Sequence, residues 1–240
     1  MTLLRSAAFN VFFMGGTVLT VLAALPLLLL PPRALIAFIR CWARAMIAGL
    51  RVICGIRLEV TGLDHIPPGG SIIAAKHQSA FDTMVWLVLL PRPAYVLKKE
   101  LLDIPLWGRL ARHCGHLGVD RKGGGAALRA LVRGAKERLE EGRPVVIFPE
   151  GTRTTPGERQ SYQPGVAAMA AATGAPVVPA ATDSGRFWGR RAFRKSPGVL
   201  HVSVLPALPA GMPRGALMAA LEQAIETETE RLMAHPGVCG

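Results

Sequence analysis

No charged residue interrupts the chain from Ser6 to Pro32, and the apolar run that results is long enough to span a bilayer. Gly15-Gly16 and Pro26 break it up, so a re-entrant or shallow two-helix hairpin is the alternative to a spanning helix. A cleaved signal peptide does not fit: the run is too long, and no small-x-small cleavage site is followed by a polar start. Next, Arg33, Arg40, Arg44 and Arg51 recur at intervals of seven, four and seven. In a helix these align on one face, with Leu35, Ile36, Phe38, Ile39, Met46, Ile47 and Leu50 on the others. The pattern predicts a helix lying at the membrane interface with its arginines toward headgroups. An ordinary surface helix is the alternative reading.

From Ile56 onward the pattern becomes short apolar runs separated by helical ones. Strands are predicted at Arg57 to Thr61, Ser71 to Ala75, Ala94 to Leu97, Leu117 to Val119, Val145 to Phe148, Val177 to Ala181 and Leu200 to Leu205. Helices are predicted from Thr83 to Leu90, Pro105 to Cys114, Ala126 to Glu141, Gly165 to Ala172 and Gly215 to Met233. Strands joined by helical crossovers argue for an α/β fold with a mixed, largely parallel sheet flanked by helices. The organisation expected is a membrane-anchoring helical segment over residues 1–55 and one α/β domain over residues 56–240.

Charge narrows the partners. Lys plus Arg number 28 against 16 for Asp plus Glu, a net charge of +12, in a chain that is 50% hydrophobic. Such a basic balance suits nucleic acid or an anionic membrane; the hydrophobic content favours the membrane and excludes nucleic acid. Positive charge after the first apolar segment places the domain on the cytoplasmic side, here of the cell inner membrane. The cysteines Cys41, Cys54, Cys114 and Cys239 have no regular spacing and read as free thiols. His65, His201 and His235 read as surface or strand residues, and His113, Cys114 and His116 lack a second ligand pair for a metal. Arg186, Arg190, Arg191, Arg194 and Lys195, interleaved with Phe187, Trp188 and Phe193, form a second basic patch that could face a membrane, an acyl carrier or solvent.

The candidate chemistry begins at Ile72-Ile73-Ala74-Ala75-Lys76-His77, an apolar run that delivers a histidine, with Asp82 five positions later. Ser79 is placed as a helix N-cap and Asp82 in the first turn. A carboxylate on one imidazole nitrogen fixes the tautomer and leaves the other nitrogen as a general base. No G-x-S-x-G or C-x-x-C supplies a protein nucleophile, so the base would act on a substrate group. A loop histidine beside a helix-capping aspartate is the plainer alternative. Downstream, Val145 to Phe148 breaks at Pro149-Glu150-Gly151 and releases Arg153, and Leu117-Gly118-Val119 ends in Asp120-Arg121.

Four stretches in this order, His77 to Asp82, Gly115 to Arg121, Phe148 to Arg153 and Val178-Pro179-Ala180, resemble the motif blocks of the glycerolipid acyltransferases, over roughly Leu58 to Leu208. The resemblance implies transfer of an acyl group from a coenzyme A or acyl carrier protein thioester to the hydroxyl of 1-acylglycerol-3-phosphate, making phosphatidic acid. It implies His77 as base, Asp82 as its orienting acid, and Lys98, Arg121, Glu150, Gly151, Thr152 and Arg153 as substrate-binding residues. Backbone N–H groups at the start of the helix near Ala80 are candidates for the oxyanion. Glu150 would accept from glycerol or hold Arg153, with a purely structural ion pair as the alternative. Metal and cofactor are not called for, since a thioester is already activated.

Two departures bear on the acceptor. Gly118 stands where the family usually has an aromatic, which would widen the site. Tyr162-Gln163-Pro164-Gly165 replaces a Phe-Lys-x-Gly context, removing one cation. Another lysolipid, such as lyso-ornithine lipid, is therefore a rival acceptor. A lipid hydrolase and a non-catalytic membrane adaptor are the remaining readings.

Overall fold

The structure is a computed structural model and describes residues 2–234; His235 and Cys239 lie outside them. Helix α1 (Thr2–Ala24) passes through Gly15-Gly16 without a break and hands over to a 3-10 turn (Leu25–Leu29) at Pro26. Helix α2 (Pro32–Gly49) folds back on α1, and a π turn (Leu50–Cys54) closes at Gly55, whose φ of 71° suits the glycine C-cap. The two helices run antiparallel, because Phe12 packs on Gly49 while Gly16 packs on Met46. Gly15-Gly16 is thus no interruption: the second glycine gives α2 room to approach.

The remaining elements alternate: β1 (Ile56–Thr61), β2 (Ile72–Ala75), α3 (Phe81–Leu89), β3 (Ala94–Lys98), α4 (Lys99–Leu102), α5 (Trp107–His113), β4 (Leu117–Val119), α6 (Gly124–Glu140), β5 (Val145–Ile147), α7 (Gly165–Thr173), β6 (Val177–Thr182), β7 (Gly198–Val204) and α8 (Arg214–Ala234). The sheet order is β1-β7-β6-β2-β5-β3-β4. Every pairing is parallel except β6 with β7. The expected mixed, largely parallel sheet is present.

Because successive strand residues face opposite sides, one strand feeds two cores. Ile73 and Ala75 of β2 join Val146, Val178, Met84 and Trp86 on one face. Ile72 and Ala74 join Val145, Val177, Leu131, Met169 and Leu221 on the other, under α6, α7 and α8. Both faces being covered explains why these strands read as unbroken apolar runs.

The N-terminal helices do not form a separate layer. Phe9, Met46 and Leu50 belong to the same core cluster as Ile73. Phe9 and Phe13 meet Trp188 edge-on at 5.5 and 5.3 Å, and Ser6 Oγ accepts the Lys195 N–H at 2.9 Å. Burying each such apolar side chain contributes about 1.5–3 kcal/mol. That exceeds the ~1 kcal/mol each interfacial arginine gains from anionic lipid, so the hairpin is fixed to the domain by core packing first. Its outer side stays apolar, with Leu4, Val11, Met14, Val18 and Leu19 more than half exposed. Thr2–Leu29 is long and apolar enough to cross a membrane.

The arginine stripe of α2 is divided. Arg33, Arg44 and Arg51 are exposed, but Arg40 turns inward and donates to the carbonyls of Leu87, Val88 and Pro91. The reason is local: the C-terminal carbonyls of α3 lack intrahelical partners, and Arg40 supplies them.

Candidate active site

The C-terminal ends of neighbouring parallel strands lie along one edge of a sheet, the place where α/β folds collect ligands. In the run β6-β2-β5-β3-β4 that edge gathers side chains scattered in sequence. Strand β2 delivers His77, β5 the loop from Glu150 to Arg153, β3 Lys98 and β4 Arg121.

His77 Nδ1 lies 3.1 Å from Asp82 Oδ2. The same oxygen accepts the N–H groups of Gln78 and Ser79, each at 2.7 Å. Three donors on one buried carboxylate oxygen hold the loop between β2 and α3 in one shape, with Nδ1–H toward the acid and Nε2 left free. Ser79 is not the N-cap: the helix begins at Phe81 behind Ala80, and Ser79 Oγ accepts the Phe81 N–H at 3.2 Å. The N–H groups of Gln78, Ser79 and Phe81 are thereby committed to this loop, which takes Phe81 out of the expected helix-start oxyanion donors. The imidazole stacks on Phe148 at 4.0 Å, so the first aromatic of the third block fixes the ring plane.

A cavity of about 570 Å³ opens over His77. Of the expected binding residues, Lys98, Arg121, Gly151, Thr152 and Arg153 line it. Arg153 carries no hydrogen bond or ion pair among the described residues; burial is the main influence lowering its pKa, opposed by Asp82 and reinforced by Arg190. Arg121 donates to the Gly151 carbonyl. Gly151 has φ of 70°, and a Cβ there would sit 3.3 Å from the Arg121 guanidinium. Backbone angle and close approach both require glycine.

Glu150 is placed otherwise. Its carboxylate turns inward, where it accepts the His77 N–H at 2.9 Å and the Thr154 hydroxyl at 3.0 Å and pairs with Lys76 Nζ at 2.6 Å. It therefore faces neither glycerol nor Arg153. The cause is Lys76, which is only 2% exposed and also bonds both oxygens of Glu226 on α8, at 2.7 and 2.9 Å. Tyr162 donates to Glu226 at 2.8 Å. A buried ammonium held between two carboxylates sits directly behind the His77–Asp82 loop. Burial outweighs the attraction of Lys76 and holds the Glu150 carboxyl above its usual range.

Sequence reasoning missed this cluster. The signals were Lys76 inside an apolar run and Glu226 next to Ile225 on the buried stripe Leu217, Leu221, Ile225, Thr229, Leu232. Thr154 was missed as well; its N–H and hydroxyl both reach the His77 carbonyl, at 2.8 and 3.2 Å.

Other expectations are relocated. Gly118 does not widen the cavity: a Cβ there would meet Leu102 Cδ1 at 2.6 Å, so its smallness admits α4. Gln163, at the position of the missing lysine, does line the cavity, as do Arg190 and Arg191 of the second basic patch. Lys195 of that patch is buried, its ammonium 4.9 Å from the Trp188 ring centroid. His113 Nε2 donates to the Leu30 carbonyl at 2.9 Å, and His116 Nδ1 accepts the Tyr95 N–H at 3.1 Å. Behind His77, Thr83 and Leu97 also line a second cavity of about 180 Å³, mostly apolar, between α1, α2, α3 and α5.

A model of the acyltransferase family matches residues 57–183, a span holding every candidate side chain from His77 to Arg153. A 1-acyl-sn-glycerol-3-phosphate acyltransferase of Pseudomonas aeruginosa is 35% identical over 208 residues, 86% of this chain and 81% of the relative. The 1-acyl-sn-glycerol-3-phosphate acyltransferase alpha of Homo sapiens is 31% identical over 169 residues, 69% of this chain and 60% of that one. The crystal structure of the 1-acyl-sn-glycerophosphate acyltransferase of Thermotoga maritima has the same fold, with a TM-score of 0.79 over 99% of this chain and 100% of that one at 22% identity.

Proposed function

This chain belongs to the acyltransferase family, and we propose that it acylates the free hydroxyl of 1-acylglycerol-3-phosphate to form phosphatidic acid. The observation that carries the reading is the His77–Asp82 pair at the floor of a cavity whose walls hold guanidinium groups without carboxylate partners among the described residues. A phosphomonoester needs such cations, and guanidinium binds it bidentately.

In this mechanism Arg153, Arg121 and Lys98 hold the acceptor phosphate and set the hydroxyl against His77. Nε2 removes the hydroxyl proton as the oxygen attacks the thioester carbonyl carbon. Asp82 stabilises the imidazolium that forms. The tetrahedral intermediate collapses with cleavage of the C–S bond, and the thiolate takes the proton back from Nε2. The acyl donor is a coenzyme A or carrier-protein thioester, and its chain enters the 180 Å³ cavity past Thr83 and Leu97. The reaction runs at the cytoplasmic face of the inner membrane, where the exposed apolar side of α1 enters the lipid.

Purified protein given both donors and a panel of lysolipids tests the reading. Phosphatidic acid formation from 1-acylglycerol-3-phosphate is expected. Gln163 in the cavity wall favours a less anionic acceptor as the second reading, and faster acylation of lyso-ornithine lipid would replace the first. Fatty acid release without any acceptor would make the chain a hydrolase, and lipid binding without turnover an adaptor.

A further inference from the structure

A further cavity, about 660 Å³, shares no lining residue with the one over His77. It lies at the turn between α1 and α2, against the ends of α5 and α6, and five arginines line it: Arg33, Arg92, Arg112, Arg138 and Arg143. Glu141 is the one carboxylate in its wall. That carboxylate already spans two guanidinium groups, with Oε1 2.6 Å from Arg138 Nη1 and Oε2 3.4 Å from Arg143 Nη1. The geometry therefore accepts a planar oxyanion between two arginines.

Outside the wall, Asp103 pairs with Arg112 at 3.0 Å and Glu137 with Arg138 at 3.1 Å, but donors remain. Arg138 Nε is buried with no acceptor among the described residues, and Arg33 has no hydrogen bond or ion pair among them. Arg143 is only 4% exposed and is fixed by the carbonyls of Arg92 and Cys114, at 3.0 and 2.7 Å. Burial is the main influence lowering its pKa; Glu141 opposes it, and the neighbouring Arg138 and Arg92 add a smaller repulsion. An added anion relieves that repulsion.

The surroundings add a second chemistry. Leu29 is 90% exposed and Leu30 47%, immediately before the Pro31-Pro32 start of α2 that forms the cavity's lip. They stand at the end of the apolar stretch Thr2–Leu29, which puts the cavity mouth at headgroup depth when that stretch is in lipid. We propose that this cavity binds a phosphate group, carried on a membrane phospholipid headgroup or free in solution, at a site separate from the catalytic cavity.

The test titrates full-length protein in a non-ionic detergent with dihexanoylphosphatidylglycerol and, separately, with inorganic phosphate, followed calorimetrically. Saturable binding is expected that survives Arg153→Ala and weakens on the order of tenfold or more in Arg33→Glu and in Arg138→Gln. Arg33→Lys should retain most of it, and acyl transfer in neutral detergent should be unchanged in both Arg33 variants. Tighter binding of the lipid than of phosphate assigns the site to a headgroup; equal or tighter binding of phosphate assigns it to the free anion. Absence of binding, or binding lost in Arg153→Ala and intact in Arg33→Glu, would overturn the proposal.

Discussion

Replacing Lys76 with methionine isolates the cluster behind the catalytic loop. The substitution keeps the length of the side chain and removes the ammonium, leaving Glu150 and Glu226, 4% and 5% exposed, to face each other without a cation. Breaking a buried pair by deleting one partner costs about 3–5 kcal/mol. In a chain of this size each kcal/mol lowers Tm by about 2–4 °C, so a fall of roughly 6–20 °C is expected at pH 8. The pH dependence follows from the direction of the Glu150 shift. Its folded-state pKa is raised even with Lys76 present, and removing Lys76 takes away the largest opposing attraction. A carboxyl raised on folding contributes stability that is present below its unfolded pKa of about 4.5 and lost as pH rises through the folded value. The variant should therefore recover part of its loss on acidification from pH 8 toward pH 5. Adding Glu226→Gln should also restore part of it, a coupling that a double-mutant cycle measures. The assay is thermal unfolding in detergent at the two pH values, beside acyl transfer. A drop below about 2 °C at pH 8, or a larger loss at the lower pH, would refute the ion cluster as described.

Four further outcomes are expected. His77→Ala should lower turnover by about three orders of magnitude or more while leaving Tm nearly unchanged; near-normal turnover would remove His77 as the base. Arg153→Ala should chiefly raise the acceptor KM, and an unchanged KM would end its phosphate role. Gly151→Ala, at φ of 70° and against Arg121, should cost about 1–2 kcal/mol and raise the same KM, measured by unfolding and steady-state kinetics. His116 is pushed down to about 4 by burial and by Arg143, so its contribution to stability is present above its unfolded pKa near 6.5 and is lost as pH falls toward 4. His116→Gln should flatten that part of the stability profile.

Much of this architecture was legible because short-range rules decided it. Strand β4 falls on Leu117–Val119 as predicted, and β2, β3, β5 and β6 lie within a residue of expectation, since parallel strands buried on both faces leave apolar runs that Gly and Pro terminate. The His77–Asp82 contact was legible for the same reason, a five-residue separation across one turn. What the sequence did not reveal depends on partners far along the chain. Lys76 and Glu226 are 150 positions apart, and only the packing of α8 under β2 and β6 makes them neighbours. Glu150 follows Lys76 inward, away from the substrate side. Arg40 looked like its fellow arginines until the end of α3 supplied two carbonyls and Pro91 just beyond it a third. Gly118 and Gln163 sit among the same motif blocks, yet one packs on α4 and the other faces the cavity, a distinction no local pattern carries.

The contact from Arg40 to α3 ties the two ends of the catalytic helix to different parts of the molecule. Asp82 stands in its first turn, while its last turn hangs on a side chain from the apolar N-terminal hairpin. A protein trimmed to begin near Gly55, in the hope of a detergent-free enzyme, would leave those carbonyls bare and strip Phe9, Met46 and Leu50 from the core. Solubility gained that way would cost the helix its anchorage, and the acid beside the imidazole would drift with it.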